Sequence, residues 1–566
     1  MKKRFLTYST ALVLLLSMGS IMAACSNGNS NTPAPTSTQS APQTSAKPTD
    51  SGKNTFGAEP LKFSFYVNYG WYAPKGYGNT FVTKALKDQY KLDIEEISSN
   101  GNDAQKFGTI VASNEFPDVM QMDRGANFEK LVEQGKLVAI DPFLNDPKYP
   151  NLKKFLDPEA DKMLRSKDGK LYGIPNWFGA PKGQGTQSNN KGWLVNRKIY
   201  EELGKPKLET FDDLYNYLKM VKSKYPDVVP LDTGNAGGPT VQVQNMLYVG
   251  AAEGHQIYWG KPDADFRIPN FNDKKYTSVF DDPALRESFK WTNLFFREKL
   301  LTQDTFTQKL EQFKEKLNTG KIAIAGIYDA PSHGQQANDI IQAKDPNAGY
   351  DYWPWIHKAG VNPDNIILEA GGTTGWNFNV ITTSAKNPEK IFAFFDWMLS
   401  DEGIKFLNYG PKGVYYDQEG DKGVPIWNDK YKQLTSDQKA NLKFGDFTPE
   451  GSWRNGVISQ AAINQDASNK KWSDKAGEFY GKYNRYLGNE LEGTGNYPTN
   501  SEEDTIWKTI KKINEDYVAK IVYAKSDDEF NKLFDTWKND VNNAGYDKLL
   551  QYGTKIWASN LKKLGK

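Results

Sequence analysis

The chain has 566 residues, of which 71 are lysine or arginine and 69 are aspartate or glutamate. This balance gives no sign of a nucleic acid or another polyanionic partner, which would need a basic surface. The single cysteine excludes a disulfide within the chain, and the length allows two to four domains or two large lobes without one.

The first 24 residues are typical of an export signal. Residues 2–4 are basic, and the apolar stretch that follows is shorter than the about 20 residues needed to cross a bilayer. The sequence Met-Ala-Ala-Cys ending at Cys25 resembles the lipobox of bacterial lipoproteins, although Leu is more usual than Met22. We predict a signal peptide over 1–24 and lipid attachment at Cys25. The alternatives are an ordinary secretory signal with a chance cysteine, or a buried free thiol.

Residues 25–57 are predicted to form a disordered tether. Ser, Asn, Thr, Pro, Gln, Gly and Ala make up almost all of 26–53, which is too polar to repay the entropy of ordering. Removing the three basic residues of the signal leaves 68 basic against 69 acidic side chains, a formal charge of −1. Acyl chains contribute about 0.8 kcal/mol for each buried methylene, so lipid on Cys25 would hold the protein on the outer face of the cell membrane.

The first elements alternate between strand and helix. They are a strand at 61–69, a helix at 81–90, a strand at 92–98, a helix at 103–115 and an apolar strand at 116–123. This order is typical of a parallel α/β sheet. Ligands of such sheets bind outside the carboxyl ends of the strands, where residues 68–72 and the pair Asp123–Arg124 would lie.

Three later helices are marked by caps and apolar stripes. They are predicted at 209–224 with Thr210 as cap, at 387–403 with a stop at Gly403, and at 526–545 with Ser526 as cap. We assign their apolar stripes to the core. No period of 20–50 residues repeats, which argues against a solenoid or a propeller.

Aromatic residues make up 13% of the chain, with 15 Trp, 30 Tyr and 30 Phe. Several lie in stretches rich in Gly, Pro and Asn that are typical of loops: YVNYGWYAPKGYGN, GIPNWFGAPKGQG and YDYWPWIHKAG. Aromatic rings on loops indicate a surface that stacks on a flat ligand.

Most catalytic motifs are absent. None of the three histidines belongs to an HExxH pair, and the sequence has no GxxxxGK[ST], no GxGxxG after a strand and no GxSxG. Paired carboxylates stay possible, because 69 acidic residues can bring two together in space. The stretch DQEGDKG at 417–423 lacks the spacing of a calcium loop and is better explained as a hairpin turn. No cofactor and no metal are predicted.

Several segments occur along the chain in a distinctive order. They are FPDVMQMDRGANFEKLVEQGKLVAI, DGKLYGIP, GWLVNRKIYEELG with ETFDDLYNYLK, NTGKIAIAGIYDA, and GGTTGWNFNVITTSAKNPEKIFAFFDWMLSDEG. This ordered set resembles the family 1 extracellular solute-binding proteins, the lipoprotein receptors of carbohydrate ABC importers. The stretch YVAKIVYAKSDDEFNKLFDTWKNDVNNAGYDKLL is similar to the helical extension of larger Gram-positive members. The resemblance implies an α/β, two-lobed, periplasmic-binding-protein-like (type II) fold with hinge crossovers and a helical C-terminal extension.

The resemblance also implies how the lobes divide. The crossovers would fall near 172–193, 352–355 and 410–416. Lobe one would comprise 58–175 with 356–410, and lobe two 180–352 with 415–566. Such lobes close on a ligand about a hinge. The implied partners are an oligosaccharide and the permease subunits of an ABC transporter, with no chemistry on the ligand, and we expect a monomer.

Ligand-binding positions follow from the same resemblance and from the loops. They are Asn68, Trp71, Tyr72, Asp123, Arg124, Trp177, Asn235, Tyr328 and Trp376. Asp123 and Arg124 stand where relatives bind sugar hydroxyls with an acid–base pair; the alternative is a surface ion pair at a strand end. Tyr328 stands where relatives present an aromatic platform, often Trp; the alternative is core or loop packing. Trp376 either lines the mouth of the site or packs under the sheet.

Two other classes of function compete with this interpretation. A surface glycoside hydrolase or polysaccharide lyase would also carry aromatic loops, but needs paired carboxylates or a Tyr/His/Arg set facing one cleft. A receptor for another solute, such as a peptide, needs apolar pockets and charges for the peptide termini. A receptor for a uronate needs extra Arg or Lys in the cleft.

Overall fold

A computed structural model describes most of the chain from residue 54 onward, so its first described residues lie inside the predicted tether. The described residues are 54, 56–74, 76–176, 178, 189–234, 242–253, 267–371, 373–420, 423–442, 444, 471–486 and 489–566. The predicted signal peptide, Cys25, Trp177 and Asn235 lie outside the described residues. Within these ranges, no helix has the length and apolar character needed to cross a membrane.

The described residues form fifteen strands and twenty α-helices. The strands are β1 (Leu61–Val67), β2 (Leu92–Ile97), β3 (Val119–Asp123), β4 (Ile174–Asn176), β5 (Gly192–Asn196), β6 (Val229–Asp232), β7 (Arg267–Asn270), β8 (Lys275–Ser278), β9 (Ile322–Ile327), β10 (Tyr350–Trp353), β11 (Glu369–Gly371), β12 (Asn377–Ile381), β13 (Tyr416–Glu419), β14 (Pro425–Trp427) and β15 (Asn484–Tyr486). The helices are α1 (Phe81–Tyr90), α2 (Asp103–Ser113), α3 (Ala126–Glu133), α4 (Asp141–Leu144), α5 (Pro150–Phe155), α6 (Pro158–Leu164), α7 (Arg197–Glu202), α8 (Phe211–Lys224), α9 (Gln242–Ala251), α10 (Pro283–Arg297), α11 (Leu310–Asn318), α12 (Ala330–Gln342), α13 (Pro388–Met398), α14 (Asp401–Tyr409), α15 (Asp429–Lys432), α16 (Ser436–Leu442), α17 (Trp472–Gly481), α18 (Glu502–Val522), α19 (Asp527–Asn543) and α20 (Tyr546–Leu564).

The first sheet has the strand order β2-β1-β3-β12-β4. β1 pairs in parallel with β2 and β3, while β12 runs antiparallel to β3 and β4. The predicted strand-helix-strand-helix-strand order is therefore confirmed. The carboxyl ends of β1 and β3 meet at one edge of the sheet, where β12 begins and β4 ends.

The second sheet has the order β10-β5-β9-β6. β6 and β9 are parallel, and β5 runs antiparallel to both β9 and β10. Each sheet has its own core, so the molecule has the two lobes that were expected. Helices α18–α20 form the C-terminal extension and pack on the second core through buried side chains such as Ile510, Trp537 and Leu549.

The second crossover lies later in the chain than predicted. Ile356, Val361, Ile366 and Leu368 are buried in the second core, and the chain rejoins the first core only at Phe378. The reason is that the intervening β11 pairs with β15, which holds this segment on the second lobe. The predicted start of the returning segment at residue 356 is therefore corrected to about residue 376.

The segment after α14 also differs from expectation. The ring of Tyr415 lies 5.2 Å from that of Phe81 in α1, and the ring of Phe444 lies 5.7 Å from it. These contacts place Tyr415 and Phe444 against the first lobe, although the second lobe was expected from residue 415 onward. The reason is aromatic packing on α1, which the polar sequence between the rings did not reveal.

Local signals explain most helix ends. The predicted capping box of α8 is present, with Thr210 Oγ1 accepting from Asp213 N at 3.2 Å. The predicted stop at Gly403 is wrong, because α13 ends at Met398 and Ser400 caps a new helix by accepting from Gly403 N at 3.0 Å. A Cβ atom at Gly403 would lie 2.1 Å from the carbonyl oxygen of Trp397, so this glycine permits a close approach. The predicted hairpin turn is confirmed by the pairing of β13 with β14.

The folded body begins with a short segment that is packed against the first lobe. Asn54 Nδ2 donates to the carbonyl oxygen of Ala393 at 2.7 Å. The ring of Phe56 stacks on that of Tyr90 at 5.3 Å and contacts that of Trp397 at 4.9 Å. The chain is therefore fixed to α1 and α13 of the first lobe before β1 starts.

Candidate functional site

Three aromatic rings, two of them exposed, form a stack beyond the carboxyl end of β1. The ring centroid of Tyr69 lies 5.4 Å from that of Trp71 and 4.9 Å from that of Trp376, and the two indoles are 6.2 Å apart at 26°. Trp71 is 64% exposed and Trp376 44% exposed, while Tyr69 is buried. We call Tyr69, Trp71 and Trp376 the aromatic platform. Its open indole faces can stack on a flat ligand.

The platform is supported from its edge and from beneath. Tyr72 is buried, meets Trp71 edge-on at 6.3 Å, and donates its hydroxyl to Glu96 Oε1 at 2.9 Å. Tyr69 follows Phe65 and Val67 at alternate positions, so its ring leaves β1 on the same face of the sheet as theirs. Tyr72 therefore supports the platform and offers little surface of its own.

A row of polar residues crosses the sheet beside the platform. Asn377 of β12 is in register with Asp123 of β3 on one side and with Asn176 of β4 on the other. The Tyr69 hydroxyl donates to Asp123 Oδ1 and accepts from Asn377 Nδ2 at 2.9 Å. Burial, reinforced by the Asp123 charge, raises the pKa of Tyr69 far above its ordinary value. The phenol is thus a neutral donor at physiological pH and fixes the exposed Asp123 carboxylate.

Buried side-chain amides continue this row into the sheet. Asn176, Asn377 and Asn379 are all fully buried. Within the described part of the chain, both amide atoms of Asn176 and of Asn379, and Oδ1 of Asn377, have no hydrogen-bond partner. We call these three residues the amide layer. Unmet polar atoms at this density are unusual in a protein interior.

Arg124 makes an ion pair at the junction of the lobes. Its Nε donates to Glu492 Oε1 at 2.9 Å, and its Nη2 donates to Glu492 Oε2 at 3.2 Å. It also donates to the carbonyl oxygens of Thr374 at 3.2 Å and Gly375 at 2.8 Å. The side chains of Arg124 and Glu492 are only 13% and 16% exposed. Arg124 therefore joins β3 to the crossover before Trp376 and to the 489–494 loop, and its donors are largely used.

The second lobe places Tyr328 just after β9. Its hydroxyl accepts from Asn245 Nδ2 at 3.2 Å, and its backbone N–H donates to Gln242 Oε1 at 2.9 Å. The Lys191 ammonium lies 5.8 Å from the centre of its ring. Tyr328 is half-buried and packs partly against the second core. One part of the ring is thus held in place and another part stays accessible.

The structure brings together some of the predicted site residues and separates others. One surface carries Trp71, Trp376 and Asp123. Arg124 is instead ion-paired with Glu492. Asn68 accepts from the buried Tyr66 hydroxyl at 2.9 Å and lies on the opposite side of the strand from the platform. Trp177 and Asn235 lie outside the described residues.

Sequence reasoning missed Tyr69, Glu492 and the amide layer. The alternation Asn-Phe-Asn in β12 was an available signal, because an amide at every second position of a buried strand marks one polar face. Glu492 carried no comparable signal. Within the described ranges, no group of three or more His, Cys, Asp and Glu side chains is placed to hold a metal ion.

Comparisons with known proteins agree with this architecture. The fructooligosaccharide ABC transporter substrate-binding protein FusA of Streptococcus pneumoniae is 23% identical over 69% of each chain. The polygalacturonan/rhamnogalacturonan-binding protein YtcQ of Bacillus subtilis is 23% identical over 73% of this chain and 74% of its own. Lipoprotein LipO of Bacillus subtilis is 26% identical over 55% of this chain and 59% of its own.

Solved structures share the fold. The calcium-free alginate-binding protein AlgQ2 superposes with a TM-score of 0.65 at 18% identity, over 89% of this chain and 100% of its own. FusA of Streptococcus pneumoniae in complex with kestose gives 0.63 at 17% identity, over 89% and 100%. The family model described as bacterial extracellular solute-binding protein matches residues 51–405, more than half of the chain. The chain therefore belongs to the bacterial extracellular solute-binding protein family.

Proposed function

We propose that this protein is a receptor that captures an oligosaccharide between its two lobes and delivers it to the permease of an ABC transporter. The observation that carries the proposal is the aromatic platform with Asp123 beside it, at the sheet edge where ligands of parallel α/β sheets bind. Sugar rings stack on aromatic faces, and their hydroxyls need fixed donors and acceptors. The names of FusA and YtcQ, one for a fructooligosaccharide and one for polygalacturonan, also favour a carbohydrate.

Capture would proceed by closure of the lobes. We assign lobe one to about 58–178 with 376–444, and lobe two to about 189–371 with 471–566. The platform forms the first wall of the site, and Tyr328 with Asn245 forms the second. A ligand that touches both walls binds the closed state more tightly than the open state, and so shifts the population toward closure. The permease then distinguishes the closed, occupied receptor from the open one, and the receptor performs no chemistry on the sugar.

The N-terminal segment would hold the receptor at the membrane. We propose that residues 1–24 are removed on export and that Cys25 carries lipid on the outer face of the cell membrane, with the protein a monomer. LipO, a relative named as a lipoprotein, supports this assignment. Labelling cells with radioactive palmitate should mark the protein, and Cys25→Ala should abolish the label and release the protein into the medium. A label that survives Cys25→Ala would remove Cys25 as the attachment site.

A thermal-shift screen tests the ligand class. The soluble protein from residue 53 onward is heated with oligosaccharides of several linkages, and with peptides as controls. A ligand at 100 times its dissociation constant stabilises the folded state by about 2.7 kcal/mol, which should raise the unfolding midpoint by a few degrees. A shift with one linkage class, with the sugar recovered intact, supports the receptor. Cleavage of the sugar would point to a hydrolase or lyase, and a shift with peptides alone would remove the carbohydrate assignment.

A further inference from the structure

We propose that this receptor selects neutral, hydroxyl-rich saccharides over uronates, and that the buried amide layer beside the platform supplies the hydrogen-bonding groups for their hydroxyls. The inference rests on the proposed function, because it takes the ligand to be a saccharide. Its two supports are the charges around the platform and the hydrogen-bonding needs of the amide layer.

The charged side chain that bonds to the platform directly is negative. The exposed carboxylate of Asp123 is tied to the platform through the Tyr69 hydroxyl. A uronate carboxylate stacked here would meet this like charge. The repulsion would cost about 1 kcal/mol at 4 Å in water, and several times more where the closed lobes exclude water.

The nearby cation is already neutralised. The Arg124 guanidinium donates to both carboxylate oxygens of Glu492 and to the carbonyl oxygens of two residues in the crossover. A uronate would have to displace Glu492 and leave that carboxylate without its partner in a largely buried place, which is costly. Arg124 is therefore a positioning residue for the platform rather than a receptor for an acidic sugar.

The opposite wall does not restore a positive field. Lys191 stands over Tyr328 at 5.8 Å, but the next residue along the chain from Tyr328 is the exposed Asp329. Asp329 Oδ1 accepts from Asn190 Nδ2 at 2.9 Å, which holds the carboxylate next to Lys191. The described part of this wall thus offers one charge of each sign.

The unpaired amide atoms of the layer need hydrogen-bond donors as well as hydrogen-bond acceptors. Its unmet atoms include three amide oxygens, one each from Asn176, Asn377 and Asn379, and two amide nitrogens. Leaving such an atom unmet costs about 1–3 kcal/mol, so a ligand or ordered water must complete the layer. A hydroxyl both donates and accepts, whereas a carboxylate only accepts, so a carboxylate placed against the layer would leave the amide oxygens that it faces unmet. The layer is therefore matched to sugar hydroxyls and mismatched to the carboxylate group of a uronate.

The test compares sugars that differ only at the carboxyl group. The unmodified soluble protein is titrated calorimetrically with three pairs: α-1,4-oligogalacturonate and its carboxyl-reduced form, β-1,4-oligomannuronate and its carboxyl-reduced form, and kestose with its C6-oxidised form. In whichever pair binds, the neutral member should bind at least 10-fold more tightly, with less than a twofold change in affinity between low and physiological salt. An acidic member that binds equally or more tightly overturns the inference while leaving the oligosaccharide receptor standing. If only peptides bind, the proposed function fails and the inference fails with it.

A variant that removes one exposed charge tests whether electrostatics cause the preference for the neutral sugar. Asp123→Asn removes an exposed carboxylate, so the preference for the neutral member should fall several-fold. Asp88→Asn makes the same charge change on an exposed residue of α1 and should leave the preference unaltered. An unchanged preference in Asp123→Asn would remove the electrostatic part of the inference. A ligand-bound crystal structure in which Asn176, Asn377 and Asn379 bond only to water would remove the part played by the amide layer.

Discussion

Replacing Trp71 by alanine should weaken sugar binding about 30-fold. Trp71 is 64% exposed, and an indole of about 250 Å² therefore leaves on the order of 150 Å² uncovered, about half of it on the open face. Covering that face together with a similar area of sugar at about 25 cal/mol per Å² gives roughly 3–4 kcal/mol. Ordering of the ligand and residual contact with Trp376 reduce the loss to about 2 kcal/mol, which corresponds to about 30-fold in Kd.

The same substitution should leave the protein folded. Trp71 contacts the rings of Tyr69, Tyr72 and Trp376, but most of its surface faces solvent. Each such ring contact contributes about 0.5–1.5 kcal/mol, so losing all three costs at most about 4.5 kcal/mol. At about 2.1 cal/mol/K per residue, that loss lowers the unfolding midpoint of a chain of this size by at most about 4 °C, which separates loss of the binding surface from loss of the fold.

Calorimetric titration with the sugar found in the screen measures this effect. Tyr523→Ala is the matched control, because Tyr523 is 44% exposed, packs on Phe296 and Phe306, and lies at the end of α18. It should leave Kd within twofold of the unmodified protein. If Trp71→Ala also leaves Kd within twofold, the platform is not the binding surface and the reasoning from its exposure is refuted.

Three further substitutions test other parts of the structure by urea unfolding. Glu492→Gln should destabilise the protein by about 1–3 kcal/mol, because it leaves the largely buried Arg124 without its counter-charge. Gly403→Ala should destabilise by more than 1 kcal/mol, although alanine is the better helix former, because its Cβ would collide with the Trp397 carbonyl oxygen. Phe56→Ala should cost about 1.5–2 kcal/mol, roughly half of a fully buried Phe→Ala change, because the ring is half-buried among aromatic neighbours.

Matched controls separate these causes. Glu133→Gln breaks an ion pair with Lys167 whose two side chains are 62% and 81% exposed, and should cost less than about 0.5 kcal/mol. Gly108→Ala in α2 adds a Cβ with nothing within 4 Å and should stabilise by about 0.5–1 kcal/mol. Equal effects of the two glutamate changes, or of the two glycine changes, would contradict the interpretation. For Phe56→Ala, an unchanged urea midpoint would show that the packing of Phe56 on α1 and α13 contributes nothing to the free energy of unfolding.

The parts of the fold that depend on neighbours in sequence could be predicted. The strands and helices from β1 to β3 follow the period of their apolar residues, and the Thr210 cap lies where its spacing to Asp213 placed it. Gly403 shows the limit of that reasoning. A glycine at a helix end and a glycine that admits a neighbouring carbonyl look the same in sequence, and only the packing of α13 on α14 distinguishes them.

The candidate site depends on pairings between distant parts of the chain. Trp71 and Trp376 were each suspected separately, but their stacking requires β12 to pair with β3 in a register that sets Asn377 opposite Asp123. Arg124 was expected to face a ligand because it follows a strand. Its actual partner, Glu492, lies 368 residues away, and nothing in the local sequence of either residue indicates the pairing.

The contacts of Asn54 and Phe56 with the first lobe determine where a force on the N-terminal segment would reach the receptor. The chain enters on α1 and α13 of the first lobe, ahead of the amino end of β1, whereas the platform lies beyond the carboxyl end of that strand. With Cys25 as the proposed anchor, a pull from the membrane would enter the receptor through this aromatic contact, on the first lobe. In the proposed closure, the first lobe is then the part joined to the anchor, and the second lobe is the part that moves relative to it.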